Sequence, residues 1–306
     1  MPAFNFLPPE IPAESVVACI GLMSDTHMPQ RCATLPDMLA EVFAGADLIL
    51  HAGDLGELWV LDRISRIAPL IAVHGNDETA DAQRELPYQQ VITVAGQRIV
   101  LCHSHYPIRA EEMESRRDDA WRPKLDRLAG LAQRAGGSIL VYGHSHIPMA
   151  YEHAGVLLIN PGAIASGSAV SRQLIQTVAL LFIREDSSPV VVHVDLASPS
   201  QPFVPEIDLA AGFKAAMNRY NASILDADMA DCWQPLSEKI LSLLDDPADR
   251  QAFFTRYDAL LIVSHRCWAG EKQSVTRADL HSVFESVRGN PRVPANFLAE
   301  LMELMA

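Results

Sequence analysis

Cysteine is scarce in this 306-residue chain, which contains five. They are odd in number and widely scattered, and no two form a C-x-x-C pair. Secreted disulfide frameworks use an even number of cysteines at close, regular spacing, so this usage favours free thiols in a reducing compartment. We therefore expect a cytoplasmic protein.

A membrane-spanning run is also absent, because no stretch reaches about 18 consecutive apolar residues. Residues 1–14 are rich in proline and lack a basic segment ahead of an apolar one, unlike a signal peptide. We predict that they form an N-terminal extension on the surface and that the protein has no membrane partner.

Basic residues are outnumbered, with 24 Lys and Arg against 38 Asp and Glu and a formal net charge of −14. A general nucleic-acid binder needs a basic face to neutralise phosphates, so nucleic acid is not expected as a partner. The hydrophobic content of 49% is that of a soluble globular protein. The length allows one large domain or two ordinary ones.

The most informative stretch is the apolar run 138–142, which ends at Gly143 and is followed by His144 and His146. A buried strand that delivers ligands at its carboxyl end has this pattern. Four earlier apolar runs end in comparable motifs: Ser24-Asp25-Thr26-His27, Gly53-Asp54, Gly75-Asn76-Asp77 and His103-Ser104-His105. One such motif would be ordinary turn chemistry. Together they supply carboxylates, an Asn and several His, a set that suits a pair of first-row transition ions.

Strand-length apolar runs alternate with helical periodicity in the first part of the chain. Strands are predicted at 15–23, 46–51 and 69–73, and helices at 36–44 and 57–67. This βαβαβ opening predicts an α/β, layered fold. A hairpin at 90–102, a long helix at 116–135, the strand at 138–142 and further strands at 149–153, 156–159, 174–183 and 190–195 follow.

The composition changes near residue 197, because residues 197–205 contain three prolines and two serines. We predict a metal-binding domain at 15–196, a linker at 197–207 and an all-α C-terminal domain at 208–306. Helices are predicted at 209–225, 236–244, 247–263, 277–287 and 294–305. The charged residues between 111 and 124 are interpreted as a solvated helix face, with a phosphate clamp as the alternative.

With these residues assembled, the chain resembles the calcineurin-like metallophosphoesterases, and most closely a small bacterial and archaeal subgroup that includes the retromer scaffold subunit. The resemblance rests on D-x-H, G-D, G-N, H-x-H and G-H-x-H in this order, followed by Asn160-Pro161-Gly162. It covers roughly residues 15–196. It implies two facing mixed β-sheets flanked by helices, with a dinuclear metal site at the sheet edge.

The resemblance also implies a ligand set. Asp25, His27 and His146 would hold the first metal, Asp54 would bridge both, and Asn76, His103 and His144 would complete the second. Because thiolates are missing from this set, we expect two divalent transition-metal ions, with Mn favoured over Fe, Ni or Zn.

The chain departs from the family pattern at two positions near the second metal. Asp77 follows Asn76 where other branches carry a proton-donating His, and His74 precedes Gly75 where the subgroup commonly carries Arg. Arg172 lies further along the chain than the expected phosphate-binding arginine.

The implied function is a dinuclear-metal-dependent phosphoesterase, acting as a phosphodiesterase on small phosphodiesters or nucleotides. A metal-bridging hydroxide would attack phosphorus directly. The leaving alkoxide needs a proton. His105 is the first candidate donor and His74 the second, and the Asn76 amide can donate toward the phosphate.

Two functions from other classes compete with this hypothesis. One is a non-catalytic protein-binding scaffold, as in the retromer subunit. A metal site that had decayed in such a scaffold should have lost ligand histidines. The other is a nuclease, which the acidic composition disfavours. The C-terminal helices could cap the site and set substrate size, bind a partner or form a homo-oligomer. A specificity or oligomer role is favoured.

Overall fold

A computed structural model describes residues 3–242, 259–286 and 295–304. The chain divides into two compact units. The first contains Met1–Gly167 and Gln173–Asn221, and the second contains Ser168–Arg172 and Ala222–Ala306. Within the described ranges, every helix is too short or too polar to cross a lipid bilayer.

The strands of the described chain are numbered in order. They are β1 (Val16–Met23), β2 (Leu48–His51), β3 (Leu70–Ala72), β4 (Gln89–Val94), β5 (Gln97–Cys102), β6 (Ile139–Tyr142), β7 (Met149–His153), β8 (Val156–Asn160), β9 (Ser171–Gln173), β10 (Thr177–Arg184), β11 (Pro189–Asp195) and β12 (Asn221–Ser223).

The helices are numbered in the same way. They are α1 (Met38–Val42), α2 (Trp59–Ile64), α3 (Ala80–Glu85), α4 (Arg109–Arg117), α5 (Trp121–Arg134), α6 (Phe213–Tyr220), α7 (Ala227–Ser242), α8 (helical over 259–268), α9 (Arg277–Glu285) and α10 (Ala295–Leu304).

The first unit contains two five-stranded mixed sheets. One has the order β11-β10-β1-β2-β3, in which β1, β2 and β3 run parallel and β10 is antiparallel to both neighbours. The other has the order β4-β5-β6-β8-β7, in which β5, β6 and β8 run parallel. Both sheets therefore have parallel central strands whose carboxyl ends can carry functional loops.

The two sheets pack face to face because alternate residues of their strands are apolar. Ile20 and Leu22 of β1 share a buried cluster with Leu101 of β5 and Val141 of β6. The intervening residues point the other way, as strand geometry requires. This cluster is the central layer of the first unit and lies beneath the strand ends that carry the polar motifs.

Helices cover the outer faces of both sheets. Leu39 of α1 and Val60 of α2 pack with Phe182 of β10 on the first sheet. Leu125 of α5 packs with Cys102 on the second sheet, where Cys102 is a buried core residue. The predicted architecture of two facing mixed sheets flanked by helices, followed by a helical C-terminal region, is confirmed.

The helix predicted at 116–135 is wrong in its extent, because the structure forms two helices, α4 and α5. The Asp118 carboxylate accepts the Ala120 N–H at 2.9 Å, a local turn that competes with helix. Lys124 Nζ donates to the Ser115 and Asp118 carbonyls at 2.8 and 2.6 Å and so satisfies the end of α4.

The stretch predicted as a linker, residues 197–207, lies within the first unit. Phe203 and Ile207 pack against the cluster that contains α5, and the Phe213 ring meets Trp121 at 5.0 Å. The helix predicted at 209–225 is confined to α6, after which the chain extends as β12. The division into a metal-binding domain at 15–196 and an all-α domain at 208–306 stays a prediction.

The second unit contains α7 to α10 and has its own core. Met229, Leu236, Leu280 and Phe284 are buried together, with Trp268 packed against them. A capping box begins α9, in which Thr276 and Asp279 satisfy each other's backbone N–H groups. Residues 247–258 of the helix predicted at 247–263 lie outside the described residues, and 259–263 are helical.

Candidate metal centre

The polar motifs follow the carboxyl ends of β1, β2, β3, β5 and β6, and the paired sheets bring several of them together. Contacts between the loops are direct. The His27 N–H donates to the Asp54 carbonyl at 2.9 Å, and the His144 N–H donates to Asp25 Oδ2 at 3.2 Å. The site is thus formed jointly by both sheets.

The loop backbone is strained at the positions that carry these motifs. Six of the nine non-glycine residues with positive φ in the described chain lie in these motifs: Asp25, His27, Asp54, Ser104, His144 and His146. A left-handed conformation costs roughly 1–2 kcal/mol for an L-residue and clusters at functional sites when tertiary structure enforces it. Four of the strained residues, Asp25, His27, Asp54 and His146, also belong to the close groups of side chains described below.

Asp25, His27 and His146 form the first close group, and their side chains are almost fully buried. His146 Nε2 lies 3.2 Å from Asp25 Oδ1, and His27 Nε2 lies 3.9 Å from the same oxygen. The two imidazoles stack with their centroids 5.5 Å apart. These are the three residues that the family resemblance places on the first metal.

Asp54 occupies the centre of the site. Its Oδ2 lies 3.2 Å from His103 Nε2 and 3.7 Å from His27 Nε2, so one carboxylate oxygen faces residues expected at both ions. Its Oδ1 accepts the Asp77 N–H at 2.8 Å. Asp54 therefore has the position that a bridging ligand needs.

The buried polar atoms of these aspartates and histidines are consistent with a metal site. Both ring nitrogens of His27 and His146 Nδ1 are buried without a hydrogen-bond partner, while Asp25 Oδ1 and His103 Nε2 each have only an ionisable neighbour at 3.2 Å. Such atoms are costly unless a partner satisfies them. Within the described residues, ligand atoms lie within 4.8 Å of one another in the groups Asp25–His27–His146, Asp25–Asp54–His103 and His27–Asp54–Asp77. Carboxylate and imidazole donors so arranged suit divalent first-row ions.

His103 is oriented by a backbone contact. Its Nδ1 lies 2.8 Å from the Ala52 carbonyl, which can only accept, so Nδ1 carries the proton and donates. Its Nε2 then faces Asp54. Metal-binding histidines commonly use one nitrogen for the ion and the other for such a link.

The electrostatics of the site favour a bound cation. Burial alone would lower the pKa of His103, but Asp54 and then Asp25 raise it to about 10. Burial would raise the pKa of Asp25, yet His146 and His103 lower it below its ordinary value. The Asp25 and Asp54 carboxylates thus stabilise positive charge on His103, the kind of charge that a bound cation would supply.

His144 and Asn76 stand apart from the close groups. His144 Nε2 contacts Glu112 Oε1 at 2.8 Å, and its ring meets that of His103 edge-on at 5.0 Å. Asn76 is exposed and precedes Asp77. The structure thus brings Asp25, His27, Asp54, His103 and His146 together and leaves Asn76 and His144 outside these groups, and the ligand roles of all seven residues stay predictions.

Asp77, at the position where the family resemblance implies a proton-donating His, pairs with a buried arginine. Arg31 Nη2 donates to Asp77 Oδ2, and Arg31 Nη1 donates to the Ser166 carbonyl at 2.8 Å. The same carboxylate oxygen lies 3.8 Å from His27 Nδ1. A guanidinium therefore lies beside the metal-binding loops, where the sequence motifs had not placed one.

The two candidate proton donors lie next to each other at the edge of the site. The His74 and His105 rings are 6.0 Å apart, and Tyr88 contacts both, at 5.8 and 4.9 Å. Burial, with His103 and His144 nearby, lowers the pKa of His105 to about 3. This shift disfavours the protonated form that a donor needs, and the role of His105 as a donor stays a prediction.

Sequence reasoning missed two acidic residues that organise the site. Glu78 accepts the N–H groups of Leu55, Gly56 and Gly75 at 3.0, 2.9 and 3.1 Å, which joins the Asp54 and Asn76 loops. Glu78 lies only two residues after the predicted ligand Asn76, and this proximity could have indicated that it belongs to the site. Glu112 was assigned to a solvated helix face, but its side chain is only 15% exposed.

The family model for the calcineurin-like phosphoesterase superfamily domain matches residues 19–186. A probable metallophosphoesterase of Methanothermobacter thermautotrophicus is 31% identical over 145 residues, which are 47% of this chain and 76% of that protein. A probable metallophosphoesterase of Methanocaldococcus jannaschii is 30% identical over 146 residues, 47% of this chain and 67% of that protein. The chain belongs to the calcineurin-like phosphoesterase superfamily.

Solved structures with similar backbones share less sequence. Chaetomium thermophilum Vps29 is 18% identical with a TM-score of 0.43, covering 58% of this chain and 95% of Vps29. An archaeal phosphodiesterase is 21% identical with a TM-score of 0.41, covering 57% of this chain and 99% of the other.

Proposed function

We propose that this protein is a metal-dependent phosphoesterase that hydrolyses small phosphodiesters or nucleotides. The observation that carries the proposal is the convergence of Asp25, Asp54 and three histidines from the loops after β1, β2, β5 and β6. Their buried, unpartnered ligand atoms and their strained backbone are hard to explain as structural features alone.

Asp25, His27 and His146 would hold one ion, and His103, Asn76 and His144 the other, with Asp54 between them. Two divalent ions, when bound, lower the pKa of water and neutralise charge on phosphoryl oxygens. The donor set contains no thiolate, which supports Mn first and Fe, Ni or Zn as alternatives. The five cysteines are free, which supports the proposed cytoplasmic location.

The remaining chemistry belongs to the chain's own side chains. A leaving alkoxide needs a proton, and His105 and His74 lie at the edge of the site where one can be delivered. The Tyr88 hydroxyl donates to the His105 carbonyl at 2.7 Å, and Arg127 donates to the same carbonyl at 3.0 Å. These contacts fix the backbone of His105 at the edge of the site. The Asn76 amide, which is exposed, would donate to a phosphate oxygen.

The scaffold and nuclease alternatives predict different behaviour. A scaffold has no need for the charged, buried set around Asp54, whose polar atoms cost stability. A nuclease should bind oligonucleotides more tightly as salt is lowered. An oligomeric role for the C-terminal helices stays a prediction.

The test is a screen of phosphate esters with metal-reconstituted protein. The panel should contain aryl phosphodiesters and phosphomonoesters, cyclic nucleotides, dinucleoside polyphosphates and oligonucleotides. We expect hydrolysis of diesters that a chelator abolishes and added Mn²⁺ restores. Asp25→Asn should be inactive in the same assay. Protein that holds two ions yet cleaves no ester would refute the proposed activity and favour the scaffold.

A further inference from the structure

Glu112 contacts His144, a residue expected at the second metal, but it lies on a helix and not in one of the loops that follow the strands. It lies on α4, and its Oε1 is 2.8 Å from His144 Nε2. Both side chains are largely shielded from solvent, with 15% exposed for Glu112 and 18% for His144. A carboxylate that contacts a histidine in such a setting holds it more firmly than an exposed ion pair would.

Several further contacts hold the Glu112 carboxylate in place. Oε2 accepts the Tyr106 N–H at 3.0 Å, and Oε1 accepts Arg116 Nε at 2.8 Å. Arg127 donates to the Ser104 carbonyl at 2.8 Å and stacks over the Tyr106 ring at 3.7 Å. The helix that carries Glu112 is therefore joined to the loop that carries His103.

The contact decides which His144 nitrogen bears a proton. An ionised carboxylate can only accept, so Nε2 must donate and, in the neutral ring, Nδ1 is left as the lone-pair nitrogen. His103 has the reverse arrangement, with Nδ1 donating to Ala52 and Nε2 facing Asp54. Both histidines thus have one ring nitrogen committed to an acceptor, which leaves the other as the only ring nitrogen that could bind a cation.

We propose that Glu112 is a positioning residue that fixes the tautomer and orientation of His144, so that Nδ1 is presented to the second cation. This inference rests on the proposed function for the existence of that cation. Carboxylates that orient a ligand histidine in this way contribute about 10–100-fold to metal affinity. Glu112 would act through His144 and not on the substrate.

The experiment uses the full chain and two readouts. The first is the ¹⁵N spectrum of the histidine side chains in metal-free protein at alkaline pH, with His144 assigned by a His144→Gln variant. The second is calorimetric titration with Mn²⁺ and Zn²⁺. The variants are Glu112→Ala and Glu112→Gln, and Glu111→Ala, an exposed neighbour on the same helix, is the matched control.

We expect wild-type His144 to be the Nε2–H tautomer and Glu112→Ala to shift it toward a mixture. Glu112→Ala should weaken the second binding event about 10–100-fold. Glu112→Gln, whose amide oxygen still accepts from Nε2, should retain the tautomer and most of the affinity. Glu111→Ala should match wild type in both readouts.

Unchanged or tighter second-ion binding in Glu112→Ala would overturn the inference while leaving the proposed function intact. A His144 spectrum that does not respond to Glu112→Ala would also overturn it. Absence of metal uptake by the wild-type chain would instead refute the proposed function. The spectrum of metal-free protein would still report on the Glu112–His144 contact.

Discussion

Asp25 Oδ1 lies 3.2 Å from His146 Nε2, although Asp25 follows β1 of the first sheet and His146 follows β6 of the second. The contact exists only when the two sheets are packed through their shared apolar core. The candidate metal centre is therefore a product of tertiary folding. Ions that bind it should stabilise the folded protein, because they bind the native state and not the unfolded chain.

Replacing Asp54 should remove a carboxylate that faces residues expected at both ions. Asp54→Asn keeps the size of the side chain but loses the negative charge that lies 3.2 Å from His103 and 3.7 Å from His27. We expect turnover to fall by more than about 100-fold and bound metal to decrease. Metal analysis and ester hydrolysis measure these effects, with the exposed Asp62→Asn as control. An active Asp54→Asn protein with two ions would contradict the bridging role.

Gly75 is required because Asp54 lies directly against it. A Cβ at this position would lie 2.0 Å from Asp54 Oδ1 and 2.6 Å from the Asp54 backbone nitrogen. Gly75→Ala should therefore displace Asp54, lower metal affinity at least about 10-fold and cost about 1–3 kcal/mol of stability. Metal titration and thermal unfolding of the metal-free protein measure the two effects.

The control for this substitution is Gly130→Ala on α5, where the nearest atom to a Cβ is the flexible Arg134 NH1 at 3.1 Å. It should leave metal affinity unchanged and raise stability by about 0.5–1 kcal/mol, because glycine is unfavourable inside a helix. If Gly75→Ala also bound metal normally, the tight contact with Asp54 would have no functional consequence.

The role of His105 can be tested through the leaving group. His105→Ala should slow alkyl esters by about 10²–10⁴-fold, because an alkoxide needs a proton as it departs. Activated aryl esters should be nearly unaffected, since their leaving groups are stable without one. His74→Ala, measured on the same two substrates, separates the candidates. Equal losses on both classes of ester would exclude His105 as the acid.

The sequence predicted the parts of the site whose signal is local. Apolar runs that end in Asp25, Asp54, His103 and His146 identified strand ends, and parallel strands bring such ends together. Cys102, the last residue of β5, lies in the core, as strand alternation requires. The strand ends could be predicted because an apolar run and the polar residues after it are adjacent in the sequence.

The rest depended on tertiary contacts that no local pattern encodes. Glu112 belongs to a charged segment typical of a solvated face, and only packing places it against His144. Arg31 has no motif of its own, and its partner Asp77 comes from another loop. The proline-rich stretch 197–207 resembles a linker, yet Phe203 and Ile207 pack into the first unit because they are apolar.

The most direct measurement is metal analysis of the purified chain combined with calorimetric titration of the metal-free protein. The account predicts uptake of two divalent transition-metal ions per chain, an increase in thermal stability on binding, and loss of uptake in Asp25→Asn and Asp54→Asn. Failure of the wild-type protein to take up any of Mn²⁺, Fe²⁺, Ni²⁺ or Zn²⁺ would contradict it.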